Sequence, residues 1–229
     1  MAPPHSQASS GILHARPGQT LSRGEPGLQA LGFGSQRDGL LYIPPPSPDA
    51  PDAPHPLIVL LHGSGADAAD IVGLFDHSAP ARQCALLVPD ARDYTWDVLV
   101  GGFGPDITFL NRALEHTFAR SPIEPSRVAV AGFSDGASYA LTLGLSHGDL
   151  FTHVMAFSPG FMSPPRHVGS PRLFLSHGTA DSVLPIERCS RRLVPKLREA
   201  NYDVTYREFD GPHTVPPRIV EEAMEWFLL

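Results

Sequence analysis

Short, nearly unbroken apolar runs alternate along this chain with longer stretches of mixed polarity. The runs at 57–61, 84–88, 127–131, 153–157 and 172–176 show no polar alternation. That pattern predicts parallel strands buried on both faces. Helical patterns fall between them, over 68–78, 106–120, 136–146 and 186–200, and a last one covers 216–228. Pro195 lies inside the 186–200 pattern and predicts a kink or a split there. The segment Val204-Thr205-Tyr206-Arg207-Glu208-Phe209 alternates with period two and reads as a further strand. Upstream, 39–43 reads as a strand stopped by Pro44-Pro45-Pro46, and a Pro- and Asp-rich surface loop follows to Pro56. Residues 11–16 and 27–33 are expected as early strands joined by a turn, and residues 1–10 as disordered. Strands alternating with helices predict an α/β domain over 11–229, with a mostly parallel sheet covered on both faces.

The run at 127–131 leads directly into Gly132-Phe133-Ser134-Asp135-Gly136-Ala137. Gly-x-Ser-x-Gly between a buried strand and a helix is the sequence form of a nucleophile elbow, a sharp turn that exposes the serine hydroxyl. The helix that follows brings its positive end toward any oxyanion formed there.

A lone serine is a poor nucleophile near neutral pH; it needs a base, and the base needs a carboxylate to fix its tautomer. The strand at 172–176 runs into His177-Gly178-Thr179-Ala180-Asp181, and the one at 204–209 into Asp210-Gly211-Pro212-His213. Ser134, Asp181 and His213 therefore follow one another in the order expected of an α/β hydrolase. Asp203 and Asp210 compete for the acid but lack a matching strand end. His177 and His167 compete for the base, and His177, ahead of the acid, reads as a packed structural histidine. Upstream, the strand at 57–61 opens into His62-Gly63-Ser64-Gly65. Glycine-rich backbone there, with the amide after the nucleophile, supplies two oxyanion donors, assigned to the N–H groups of Ser64 and Asp135. His62 is expected to fix its own loop.

These four motifs together resemble the phospholipase/carboxylesterase family of serine esterases, to which acyl-protein thioesterases also belong. The resemblance covers roughly residues 40 to 229. It implies an α/β-hydrolase fold and ester or thioester hydrolysis without a cofactor. Two positions depart from the family pattern: Asp135 stands where glutamine is usual, and Ala137 where a third glycine is usual. The oxyanion donor at 135 is a backbone group, so the mechanism tolerates the change. The added carboxylate is expected to disfavour anionic substrates.

Composition narrows the partners. The 229 residues carry a formal net charge of -7 without a basic patch, which argues against nucleic acid. Cys84 and Cys189, the only two cysteines, are too few for a disulfide framework. The eleven histidines show no metal-ligand spacing, so no metal is expected. The N-terminus has no signal-peptide pattern, and no apolar run reaches membrane-spanning length. A cytoplasmic enzyme without stable membrane association is the expectation.

Trp96, Phe103, Phe161 and Met162 are the candidate pocket aromatics and rim residues. Residues 158–169 leave no room for a helical lid, so an open site is expected. The substrate expected is a small to medium acyl ester. An acyl-protein thioester or lysophospholipid is the alternative, and a non-catalytic ligand-binding protein on the same fold is the remote one. An exposed apolar rim would equally serve a homodimer contact.

Overall fold

The computed structural model describes residues 11–34, 37–75 and 83–229, and its elements form around one sheet. The strands are β1 (Gly27–Ala30), β2 (Gly39–Ile43), β3 (His55–Leu61), β4 (Ala85–Pro89), β5 (Ile123–Phe133), β6 (His153–Phe157), β7 (Arg172–Gly178) and β8 (Val204–Phe209). They pair in the order β1-β2-β4-β3-β5-β6-β7-β8. β1, β2 and β4 pair antiparallel, and every pairing from β4 through β3 to β8 is parallel.

The helices are α1 (Ala68–Val72), α2 (Asp97–Val100), α3 (Pro105–Arg120), α4 (Asp135–Ser146), α5 (Ser190–Glu199) and α6 (Pro217–Leu228). The unbroken apolar runs serve two cores at once. Leu57, Val59 and Leu61 of β3 join one hydrophobic cluster with residues of α3, α4 and α5. Ile58 and Leu60, on the opposite face, join a second cluster with residues of α1 and α6. In β5, Val128 and Val130 divide from Ala129 and Ala131 in the same way. Successive strand side chains point to opposite faces, so a strand sandwiched between two helical layers must be apolar at every position.

Several expectations are corrected. Residues 11–16 form no strand; the backbone amides of His14 and Ala15 donate to Asn111 Oδ1 on α3, and that of Leu13 donates to His147 Nε2 just past α4. The early strand at 27–33 ends at Ala30. The helix expected over 68–78 stops at Val72, with its capping box at Asp67 and Asp70; positions 76–78 lie outside the described residues, as do residues 1–10. The helix expected from 186 begins at Ser190 and runs continuously through Pro195 to Glu199, so the proline does not split it. Residues 158–169 carry no helix. Among the described residues, no helix is long and apolar enough to cross a membrane.

Because β3, β5, β7 and β8 are parallel, the loops leaving them emerge from one edge of the sheet. Leu61 pairs with Gly132, and Gly178 with Phe209. The His62, Ser134, Asp181 and His213 segments are thereby gathered at the strands' C-terminal ends, where α/β folds build sites.

Candidate active site

Ser134 occupies the turn between β5 and α4 with φ +59° and ψ −120°, a backbone conformation that L side chains rarely adopt. The flanking glycines make this turn fit. A Cβ on Gly132 would lie 2.3 Å from the Gly136 carbonyl oxygen, and one on Gly136 would lie 2.1 Å from that of Leu61. Although Ser134 sits at the N-cap of α4, its side chain makes no capping bond. Its Oγ lies 2.9 Å from His213 Nε2 instead.

His213 Nδ1 donates to Asp181 Oδ2 at 2.6 Å. The ring leans on Phe133, with centroids 4.6 Å apart. Asp181 is fully buried in its side chain, and its other oxygen, Oδ1, accepts from the amides of Val183 and Leu184 at 2.9 and 2.8 Å. Burial pushes the Asp181 carboxyl up, but the bonds from His213 and these amides outweigh it and leave it below the usual carboxylate range. Hydroxyl, imidazole and carboxylate thus form one connected line, with the acid held ionised.

The His62–Ala66 loop closes over the same point. A Cβ on Gly63 would approach Ser134 Cβ to 3.4 Å, so the loop backbone runs beside Ser134. The Ala91 amide donates to His62 Nε2 at 2.9 Å, so Nε2 is unprotonated and Nδ1–H donates to the Gly63 carbonyl at 2.7 Å. Burial lowers the His62 pKa and favours this neutral form. Gly65 N–H donates to the Tyr94 carbonyl at 2.8 Å. Among the described residues, neither the Ser64 nor the Asp135 amide has an intramolecular acceptor. The Asp135 carboxylate accepts the Thr95 hydroxyl at 2.8 Å.

A cavity of about 420 Å³ opens at Ser134 and His213, with Ser64, Ile71, Phe133 and Val183 among its walls. A second, of about 250 Å³, shares Ile71, Phe133 and His213 and continues past Thr214 and Val215. Trp96 reaches neither, being fully buried, and it supports the loop from beneath: its Nε1–H donates to the His62 carbonyl at 2.9 Å, and its ring stacks on Tyr139. Phe103 also packs toward Tyr139, and Met162 against the same core cluster. Phe103, Phe161 and Met162 are outside the lining of these two cavities. Ile71 and Val183, which do line the first, read in the sequence as an ordinary helix residue and an ordinary loop residue. Among the described residues, no group of three or more His, Cys, Asp or Glu side chains is arranged to hold a metal ion.

The model of the phospholipase/carboxylesterase family matches residues 102–228, which include the Ser134 elbow, the Asp181 loop and the His213 turn. The chain belongs to that family. It is similar to the esterase candidate NocK of Nocardia uniformis subsp. tsuyamanensis, at 28% identity over 158 residues, covering 63% of this chain and 46% of that one. It is similar also to feruloyl esterase B of Talaromyces stipitatus, at 28% over 176 residues, covering 71% of this chain and 45% of that one. The chain thus spans about half the length of the curated relatives it matches. Among solved structures, the Staphylococcus aureus fluorophosphonate-binding serine hydrolase F shares its fold, with a TM-score of 0.74 at 15% identity over 90% of this chain and all of that one. Within this family frame, the sheet order and the elbow are the α/β-hydrolase arrangement expected from the sequence.

Proposed function

We propose that this member of the family is a serine carboxylesterase that hydrolyses small to medium acyl esters through an acyl-enzyme. The observation that carries the reading is the continuous line from Ser134 Oγ through His213 to Asp181, at 2.9 and 2.6 Å, on the wall of an apolar cavity. His213 Nε2 takes the Ser134 proton as Oγ attacks the ester carbonyl, and Asp181 stabilises the imidazolium that forms. The developing oxyanion is met by the N–H groups of Ser64 and Asp135. Collapse expels the alcohol, which takes the proton from His213. Water then attacks the acyl-enzyme with His213 again as base, releasing the acid and restoring Ser134.

The reading includes a single domain over 11–229, a small-molecule substrate and a cytoplasmic setting. A second reading has a specific support: two feruloyl esterases are among the relatives, and the cavity walls Ile71, Phe133 and Val183 would suit a flat aromatic acyl group.

The test is a rate series on p-nitrophenyl esters from acetyl to palmitoyl, with methyl ferulate added and Ser134→Ala as control. Activity with a short-chain optimum, reduced about 10⁴–10⁶-fold in the variant, is expected. Preference for methyl ferulate would select the second reading. Near-normal turnover in Ser134→Ala would remove Ser134 from the mechanism.

A further inference from the structure

A second imidazole touches the carboxylate of Asp181. His177, near the end of β7, is fully buried. Its Nε2 lies 2.7 Å from the Leu184 carbonyl oxygen and 3.3 Å from Asp181 Oδ2. Its Nδ1 lies 2.7 Å from Ser190 Oγ. A carbonyl oxygen can only accept, so Nε2 carries the proton and the Ser190 hydroxyl donates to Nδ1. Two neighbours thus fix one tautomer.

Leu184 closes a ring: its N–H donates to Asp181 Oδ1, while its carbonyl accepts from His177. Oδ2, the oxygen that His177 approaches, is the one bonded to His213. We propose that His177 is a positioning residue for the reaction above, its Nε2–H bracing the 181–184 turn and holding Asp181 Oδ2 in line with His213. Apart from His177, the Asp181 carboxylate is set by the Val183 and Leu184 amides and the His213 ring by its contact with Phe133. This inference rests on the triad reading.

The charged and titratable surroundings of His177 are few. Asp181 and His213 face it on the site side, and burial, the larger influence, holds its pKa down, so it stays neutral at neutral pH. Glu208 pairs opposite it on β8 and is held by Arg191. The Cys189 thiol, pushed up by burial, adds no charge.

Four variants test this: His177→Leu, which removes the donor; His177→Gln, whose amide can replace it; Ser190→Ala, which frees the tautomer; and Ser134→Ala as control. kcat and KM for p-nitrophenyl acetate are measured from about pH 5 to 9, with the downfield His213 Nδ1 proton followed by NMR. His177→Leu is expected to lower kcat about tenfold at unchanged KM. With one donor gone, Oδ2 becomes a better acceptor for His213 and favours its imidazolium form. The acid limb of the profile should therefore move to higher pH, and the downfield proton should shift. His177→Gln should recover most of the rate and the position of the limb. If both His177 variants match the parent, or both lose rate equally with limb and proton unmoved, His177 is core packing and the proposal falls. Should His177→Leu fail to fold, an unchanged profile and proton signal in Ser190→Ala would overturn it, and a shift in the same direction would support it. Activity retained in Ser134→Ala would overturn the triad reading instead, a separate result.

Discussion

Trp96 donates its indole N–H to the His62 carbonyl at 2.9 Å from beneath the loop that carries Ser64. The backbone carrying Ser64, the proposed oxyanion donor, is therefore held by a fully buried side chain. Below the indole lies Tyr139, whose hydroxyl donates to buried Asp97 at 3.0 Å. Trp96→Phe keeps most of the packing but leaves the His62 carbonyl without its partner, a cost of about 1–3 kcal/mol. The expected outcome is a loss of stability of that size in urea unfolding, with kcat falling more than KM rises.

The sequence pattern was legible wherever one physical constraint acted alone. Unbroken apolar runs at 57–61 and 127–131 correspond to strands with helices on both sides, and the glycines of the elbow to a turn with no room for a Cβ. Legibility ended where long-range contacts decide. Residues 11–16 look like a strand, but no strand edge takes their amides; Asn111 and His147 do. Trp96 looks like a pocket wall because it follows a strand end, yet the core claims the whole indole. The buried Asp97–Asp106 pair, each accepting backbone amides across the α2–α3 connection, has no sequence signature.

His147 ties the N-terminal segment to the core by accepting the Leu13 amide at Nε2, while its Nδ1–H donates to the Leu143 carbonyl. Burial holds it down at about 4, against an ordinary value near 6.5. The unfolded chain therefore takes up this proton first as pH falls, and stability is lost progressively between about 6.5 and 4. His153, also lowered by burial to about 4, acts in the same direction. Asp106 acts in the opposite one: burial and the Asp97 charge raise it to about 6, so its protonation favours the fold as pH falls. His147→Gln keeps an acceptor for Leu13 without a titrating ring. Its unfolding free energy should fall less steeply than the parent's below pH 6.5, and cleavage near residue 13 by an added protease should lose its acid sensitivity.

Asp135 places a carboxylate one residue after Ser134, the proposed nucleophile, fixed to the Thr95 hydroxyl at 2.8 Å. Its field falls on any substrate charge near the reacting carbonyl. At an effective dielectric of about 20 a charge some 8 Å away feels about 2 kcal/mol, less after screening by salt. Asp135→Asn retains the backbone N–H and an acceptor for Thr95. The ratio of kcat/KM for a hemisuccinate ester to that for the neutral butyrate ester should rise about three- to tenfold. An unchanged ratio at low ionic strength would show that Asp135 takes no part in charge selection.

Val183 bears on acyl length. It lines the 420 Å³ cavity, yet its residue is 64% exposed, so a larger side chain there meets little packed protein. Its backbone amide also bonds Asp181 Oδ1, and a side-chain exchange leaves that bond in place. Val183→Phe should therefore narrow the cavity mouth without disturbing the acid. With the acyl chain seated in this cavity, a long chain passes that mouth when its carbonyl lies beside Ser134, whereas an acetyl group ends before it. The ratio of octanoate to acetate hydrolysis should fall about tenfold or more, roughly the loss of two methylenes of burial. A ratio that stayed constant would place the acyl chain in the neighbouring 250 Å³ cavity, past Thr214 and Val215, and the leaving alcohol beside Val183.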